Sequence, residues 1–264
     1  MQDLSYPTLF ALFSALLALA AFSEHRGWGS GRAIAISALR AGLQLSLVGF
    51  VLEWLFQPGR EWASFPYVLW MLGAATSVLW GRFMHKRPPG LKLLDFYWVL
   101  SALGLSTLAL SLAVGRVEQG NWNITPAVLI PFLGIVLGNV LTSLGLAIER
   151  FQSDIRANRT LIEARLLQGQ AVNEAVGDFR RAALSAGMTP ILNALTAAGI
   201  VSLPGALTGQ LLAGQDPAAA VRVQLLMLFA LTGISWAGCA GFLVVLLRKW
   251  RVLEREALSA EVYR

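Results

Sequence analysis

Residues 124–148 read ITPAVLIPFLGIVLGNVLTSLGLAI, 25 positions without a charged side chain. As a helix this stretch rises about 37 Å, more than the roughly 30 Å hydrocarbon core of a bilayer. The rest of the chain has the same character. Of its 264 residues, 56% are hydrophobic and 14% charged, against about 45–50% and about 25% in soluble domains. So few charges do not cover a water-facing surface of this size. The same figures exclude a disordered chain. The single cysteine, Cys239, excludes a disulfide scaffold.

Working outward from 124–148, six further segments have the length and composition to cross a bilayer: 7–23, 33–56, 67–83, 93–114, 189–212 and 219–247. The prediction is an all-α integral membrane protein with seven transmembrane helices. Span three is short, and Tyr67, Trp70, Trp80 and Phe83 at its ends read as interface anchors. The N-terminal MQDLSYP lacks the basic flank of a signal peptide, so the first block reads as a retained span.

Lysine and arginine set the orientation. Connections after spans one, three, five and seven carry 17 of them, and the opposite side has only Arg60, Arg116 and Arg222. The positive-inside rule puts the 17 in the cytoplasm, with the N-terminus outside and the C-terminus cytoplasmic. An odd number of spans meets the same requirement. The net charge of +6 is thereby read as a topology signal, and no nucleic-acid partner is expected.

The longest connection, 149–188, falls on the cytoplasmic side. Phe151, Ile155, Ile162 and Leu166 recur at helical spacing, as do Val172, Val176, Phe179 and Ala183, with Gly169 between the two sets. The expectation is amphipathic cytoplasmic loop helices between spans five and six: a helix continuing out of span five, a turn, and a short helix back to span six. Residues 1–264 read as one transmembrane domain, with no separate soluble domain.

No catalytic set or nucleotide site is visible. There is no G-x-x-x-x-G-K-[ST] stretch, no Cys/His cluster has metal-ligand spacing, and no cofactor is expected. The sequence assigns no metal ligands. Residues 163–169, E-A-R-L-L-Q-G, are similar to the EAA-x-x-x-G loop signature of ABC-importer permeases. A short helix between spans can dock in a groove of a peripheral ATPase, with charges such as Glu174, Asp178, Arg180 and Arg181 orienting it. The other reading is a helix lying at the lipid interface.

Polar residues inside spans are costly and face the bundle interior or a wet cavity. Arg40 and Gln44 share a face of span two, Asn139 sits mid-span five, Asn193 and Thr196 lie in span six, and Gln224 lies in span seven. Arg40 either snorkels or pairs structurally, or lines a path. Gln44 and Asn139 read foremost as inter-helix hydrogen bonders. Small residues recur every four positions at Gly134/Gly138/Thr142, Gly205/Gly209 and Gly233/Ala237/Gly241; they mark either packing within one subunit or a homodimer interface. At Ser202-Leu203-Pro204-Gly205 the helix of span six cannot continue regularly. A break at membrane depth lines a cavity or is buried in protein, which makes 201–210 the candidate pathway element, with Thr208 and Gln210 beside Ser202 as oxygen donors. An ordinary proline kink is the alternative.

Together these residues resemble the FetB/YbbM-type family of ABC transporter permeases, which includes the plant aluminium-sensitivity permeases. The matching runs are Arg40-Ala41-x-x-Gln44-Leu45-x-x-x-Gly49, Ile130-Pro131-x-x-Gly134-x-x-x-Gly138-Asn139 and residues 163–169. They continue with residues 199–205 (G-I-V-S-L-P-G), Thr208-Gly209-Gln210, Ala213-Gly214-x-Asp216-Pro217 and Gln224. Where many relatives carry two methionines after the Pro-Gly, this chain has Ala206 and Leu207. The resemblance implies a permease without its own nucleotide site, paired with a separate cytoplasmic ABC ATPase in the inner (plasma) membrane. It also implies a role in metal homeostasis, with iron or a related small solute exported. Two copies would form the pathway. Coupling to the ATPase then falls to Glu163, Ala164, Gly169, Glu174, Arg180 and Arg181, and the pathway to Arg40, Gln44, Asn139, Ser202, Pro204, Gly205, Thr208 and Gln210. The rivals are an ion-coupled secondary transporter, which would need titrating groups within the spans, and a non-transporting membrane scaffold. Glu53, Asp95 and Glu149 all lie near span ends.

Overall fold

The computed structural model describes residues 6–83, 95, 99, 104 and 126–262. Among them the chain is helical, with no strands. The helices are α1 (Tyr6–His25), α2 (Gly31–Leu55), α3 (Ser64–Phe83), α4 (Pro126–Ala157), α5 (Arg159–Leu167), α6 (Val172–Ala175), α7 (Gly177–Ala197), α8 (Gly205–Leu212) and α9 (Pro217–Val262). Four stretches are long and apolar enough to cross a membrane: Pro7–His25, Gly31–Leu55, Leu129–Ala157 and Pro217–Arg248. Helix α3 stands where the third span is expected. The expected fourth span lies outside the described residues, apart from the helical Asp95, Val99 and Gly104.

The chain divides into two compact units, 1–63 and 64–264. In the first, α1 and α2 form a helical hairpin. Its corner is fixed by the Ser23 and Ser30 hydroxyls, 2.7 Å apart. The Arg32 amide also donates to Glu24 Oε2 at 3.2 Å. Large apolar side chains along this hairpin, such as Phe10, Leu19, Leu43 and Phe50, are exposed. Such continuous apolar exposure in water would be an aggregation liability; on a membrane hairpin it is the lipid-facing surface.

In the second unit α4 is the central element, packed against α3, α7 and α9. Val140, Leu144 and Phe151 of α4 are fully buried beside Ala183 of α7 and Phe242 of α9. Lipid is as apolar as leucine, so close van der Waals fit decides which helices associate in a membrane. The tightest crossing in this unit is at Gly187. A Cβ there would stand 2.8 Å from the Ser143 carbonyl oxygen, 2.9 Å from Ala147 Cβ and 3.1 Å from Cys239 Sγ. Only glycine lets α4, α7 and α9 meet at one point. Several helix hydroxyls are satisfied within their own helices: Thr76 donates to the Leu72 carbonyl at 2.7 Å, Thr142 to Gly138 at 3.0 Å and Thr232 to Leu228 at 2.7 Å.

Helix α4 runs past the apolar stretch to Ala157, as the sequence periodicity implies. The return path begins with the turn at Gly169. The short helix α6 precedes α7, as expected, but α7 is longer than the span expected from residue 189: it begins at Gly177 and continues unbroken through Pro190 to Ala197. The expected span 189–212 is two helices, α7 and α8, separated by residues 198–204.

Candidate functional site

The 149–188 connection is built from the end of α4, the short helices α5 and α6, and the start of α7. Phe151, Ile162, Val176 and Ala183 belong to the same buried core as the spans, with Ile155, Leu166 and Phe179 packed on it. The two apolar stripes of 149–188 thus face the bundle, and the loop helices fold back on its end. Helix α5 ends at Leu167, and the turn closes with Gly169 at φ +84°. The Gln168 amide donates to the Ala164 carbonyl at 3.1 Å, and the Gly169 amide to Leu166 at 2.9 Å. At the tip Leu167 is 89% exposed.

Arg165 joins the pieces. Its Nη1 donates to the Ala175 carbonyl at 2.8 Å, which caps α6. Nη2 reaches Asp178 Oδ2 of α7 at 3.3 Å, and the guanidinium lies 5.9 Å from the Phe179 ring centroid. Asp178 also accepts from Arg181. A planar fork serves a carbonyl, a carboxylate and a ring face together, which an ammonium cannot do. In the sequence Arg165 is only one residue of the 163–169 run, and its ten-residue reach to Ala175 has no local signature. Both Arg165→Ala and Arg165→Lys are expected to loosen 171–181 by about 1 kcal/mol, read as faster amide hydrogen exchange in that segment. Of the other residues, Glu163 pairs with Arg159 at 2.7 Å. Ala164, Gly169 and Glu174 are exposed, and Arg180 is half-buried.

The interrupted segment is a tight turn. Ala198 and Ser202 form an isolated parallel bridge. The Ala197 carbonyl accepts from the Ile200, Val201 and Ser202 amides, and the Gly199 amide donates to the Ser202 carbonyl at 3.0 Å. The left-handed residue is Gly199, at φ +80°, and not Gly205, which opens α8 as its first helical residue. Pro204 caps α8; its carbonyl accepts from the Thr208 amide at 3.0 Å and from Thr208 Oγ1 at 3.3 Å. Gln210, half-buried, has a buried carbonyl oxygen with no hydrogen-bond partner among the described residues.

The depth of this turn follows from register. Ala197 lies ten residues beyond the Gly187 crossing, so the break is about 15 Å from it. Helix α9 begins 22 residues above Cys239, about 33 Å from the same crossing. The turn therefore sits well below the end of the bundle remote from α5 and α6, here called the far end. Helix α8, about 12 Å long, fills part of the remaining height beside α9.

Asn139 Nδ2 donates to the Ile135 carbonyl of its own helix at 2.8 Å, rather than across helices. Arg40 and Gln44 are exposed one turn apart on α2 of the first unit. Pro204, Gly205, Thr208 and Gln210 share α8 and its cap, and Asn139 belongs to the same unit. Most of the small-residue stripes stay outside the packing: a Cβ at Gly138, Gly205, Gly209, Gly233 or Gly241 would meet nothing within 4 Å, while one at Gly134 would stand 3.5 Å from Met71 Cε.

Several helices long and apolar enough to cross a membrane, with large apolar side chains exposed, describe a polytopic helical membrane protein. Residues 6–250 match the family described as Uncharacterised protein family (UPF0014), and the chain belongs to it. A UPF0014 membrane protein of Synechocystis is 37% identical over 76% of this chain and 73% of its own length. The Arabidopsis thaliana Protein ALUMINUM SENSITIVE 3 is 30% identical over 75% and 70%. The Escherichia coli Probable iron export permease protein FetB is 25% identical over 77% and 73%. No solved structure matches.

Proposed function

We propose that this chain is the permease subunit of an ABC transporter, exporting a metal ion such as iron or a related small solute across the inner (plasma) membrane. A separate cytoplasmic ATPase binds at 163–181, and two copies of the chain form the pathway. The observation that carries the reading is the α5 tip. Leu167 stands 89% exposed on a helix that Arg165 locks to the bundle. A rigidly held apolar knob has the form by which a helix docks in a groove. The name of the E. coli relative supports the transport class. The outward-facing stripe Gly233/Ala237/Gly241 on α9 supports close packing of a second copy there.

In this reading the ATPases close on ATP, push α5 and α6, and the push passes directly into α7, because that helix is continuous from Gly177 to Ala197. Motion then reaches the break at 198–204. Affinity purification of the tagged chain from membranes is expected to retain an ATPase subunit in stoichiometric amount; recovery of the chain without one overturns the reading.

The proposal includes seven spans with the N-terminus outside and the C-terminus cytoplasmic. Reporter fusions at Gly59 and Gly120 are expected to report the outer side, and those at Gly90 and Ala171 the cytoplasm. Opposite locations for Gly90 and Ala171 contradict this topology.

A further inference from the structure

Residues 33–52 of α2 read AIAISALRAGLQLSLVGFVL, twenty positions with one charged side chain, Arg40. Ser37, Arg40 and Gln44 follow one another at three and four residues, so they share one face of the helix. All three are exposed, and none has a hydrogen-bond or ion-pair partner among the described residues. Ser46, by contrast, donates to the Gly42 carbonyl at 2.9 Å. The acids of the hairpin stand away from this stripe. Glu24, at the corner, accepts from the Arg32 amide. Glu53 is thirteen residues from Arg40, about 20 Å along the helix. Depth adds a second constraint. Arg40 lies about 13 Å from Gly31, and Gln44 about 20 Å from Gly31 and about 17 Å from Leu55, midway along the stretch long enough to cross a membrane. An arginine in such a place can bend toward the headgroups. A mid-span glutamine is too short to follow, so its amide needs a polar partner at its own depth. A lipid phosphate therefore accounts for Arg40 alone, whereas a solute lying along the stripe accounts for all three side chains.

The chemistry of the stripe selects its ligand. Arg40 only donates, through a planar fork that matches a carboxylate or a phosphate. The Gln44 amide on one side and the Ser37 hydroxyl on the other add donors within about one turn. A bare cation there would meet a positive charge that no neighbouring acid offsets. Among the described residues no three His, Cys, Asp or Glu side chains gather to hold one. We propose that Ser37, Arg40 and Gln44 bind an oxyanion of the transported solute, a carboxylate or phosphate group, so that a metal carried by this chain crosses as an anionic complex and not as a bare ion. This deepens the transport reading and rests on it for the passage of the solute.

The test is binding of radiolabelled citrate to the purified full chain in nanodiscs of zwitterionic phosphatidylcholine. The expected result is saturable binding, weakened about tenfold or more by Arg40→Gln, which removes a charge-assisted hydrogen bond, and weakened also by Gln44→Leu. Arg40→Lys keeps the charge without the fork and is expected to bind less tightly than the wild type. Both Arg40→Gln and Gln44→Leu make α2 more apolar, and their melting temperatures without citrate are expected to match the wild type. Nanodiscs containing phosphatidylglycerol separate the two sources of oxyanion, and citrate affinity is expected to be the same in them. Displacement of citrate by phosphatidylglycerol, with no effect of Gln44→Leu, assigns Arg40 to a lipid headgroup and overturns the proposal. So does the absence of saturable citrate binding, or binding by Arg40→Gln at full strength. A fall in the citrate-free melting temperature of Arg40→Gln makes Arg40 a structural partner within the protein and overturns it as well. No arm involves an ATPase, so the permease reading stands or falls separately on subunit association.

Discussion

Gly187→Ala is expected to destabilise the protein by about 1–3 kcal/mol, and Gly187→Val by more. The added Cβ meets the Ser143 carbonyl oxygen at 2.8 Å and Ala147 Cβ at 2.9 Å. Both belong to α4 and lack a flexible arm that can swing aside. Cys239 Sγ, at 3.1 Å, is the one contact a second substitution can relieve. Cys239→Ala is therefore expected to recover only part of the loss. Unfolding in detergent, followed by a probe on α7, measures each variant. A Gly187→Val protein as stable as the wild type would show that the three helices do not meet there.

If an ATPase docks at 163–181 as proposed, Gly169→Val is expected to uncouple the chain from it while leaving the spans folded. The backbone at 169 sits at φ +84°, where a β-branched residue is strained by about 1–2 kcal/mol. The turn relieves that strain by moving, and it lies immediately beyond the exposed Leu167. Substrate-stimulated ATP hydrolysis by the reconstituted complex is expected to fall about tenfold, the factor that such an energy represents. The melting temperature of the spans should stay near the wild-type value, since Gly169 makes no contact that a Cβ would disturb. Hydrolysis at the wild-type rate would place coupling elsewhere.

The helical membrane class and the family were legible in the sequence, because both rest on patterns along the chain. An uncharged run such as 124–148 and a loop stripe such as Phe151, Ile155, Ile162 and Leu166 encode their own environment. Residues 202–205 likewise announce the interruption of span six through Pro204, whose missing N–H is a local property. The turn's geometry is not written there: the left-handed residue is Gly199, and Gly205 begins a helix.

Relations between distant elements were not legible. The four-residue stripes drew attention to Gly233 and Gly241, while the glycine that governs packing within this unit, Gly187, sits in no stripe. Its role depends on which residues of α4 and α9 arrive opposite it. Arg165 is similar: nothing near it predicts a bond to the carbonyl of Ala175. Asn139 failed in the other direction, since a mid-span amide implies a partner helix and the nearest acceptor is its own Ile135 carbonyl. Gln224 was read as one polar residue among several; its buried, donor-less oxygen emerges only once α8 and α9 are packed together.

The central claim is that a separate ATPase engages the clasped loop at the end of α5, and cross-linking from position 167 tests it most directly. A photo-reactive residue replacing Leu167 in the full chain, irradiated in native membranes, is predicted to form a covalent adduct with an ABC ATPase subunit, stronger or weaker with nucleotide. The same residue at Phe10, on the exposed face of α1, is predicted to give none. Irradiation that yields no ATPase adduct at 167 in any nucleotide state, with the ATPase present in the membranes, would contradict the account.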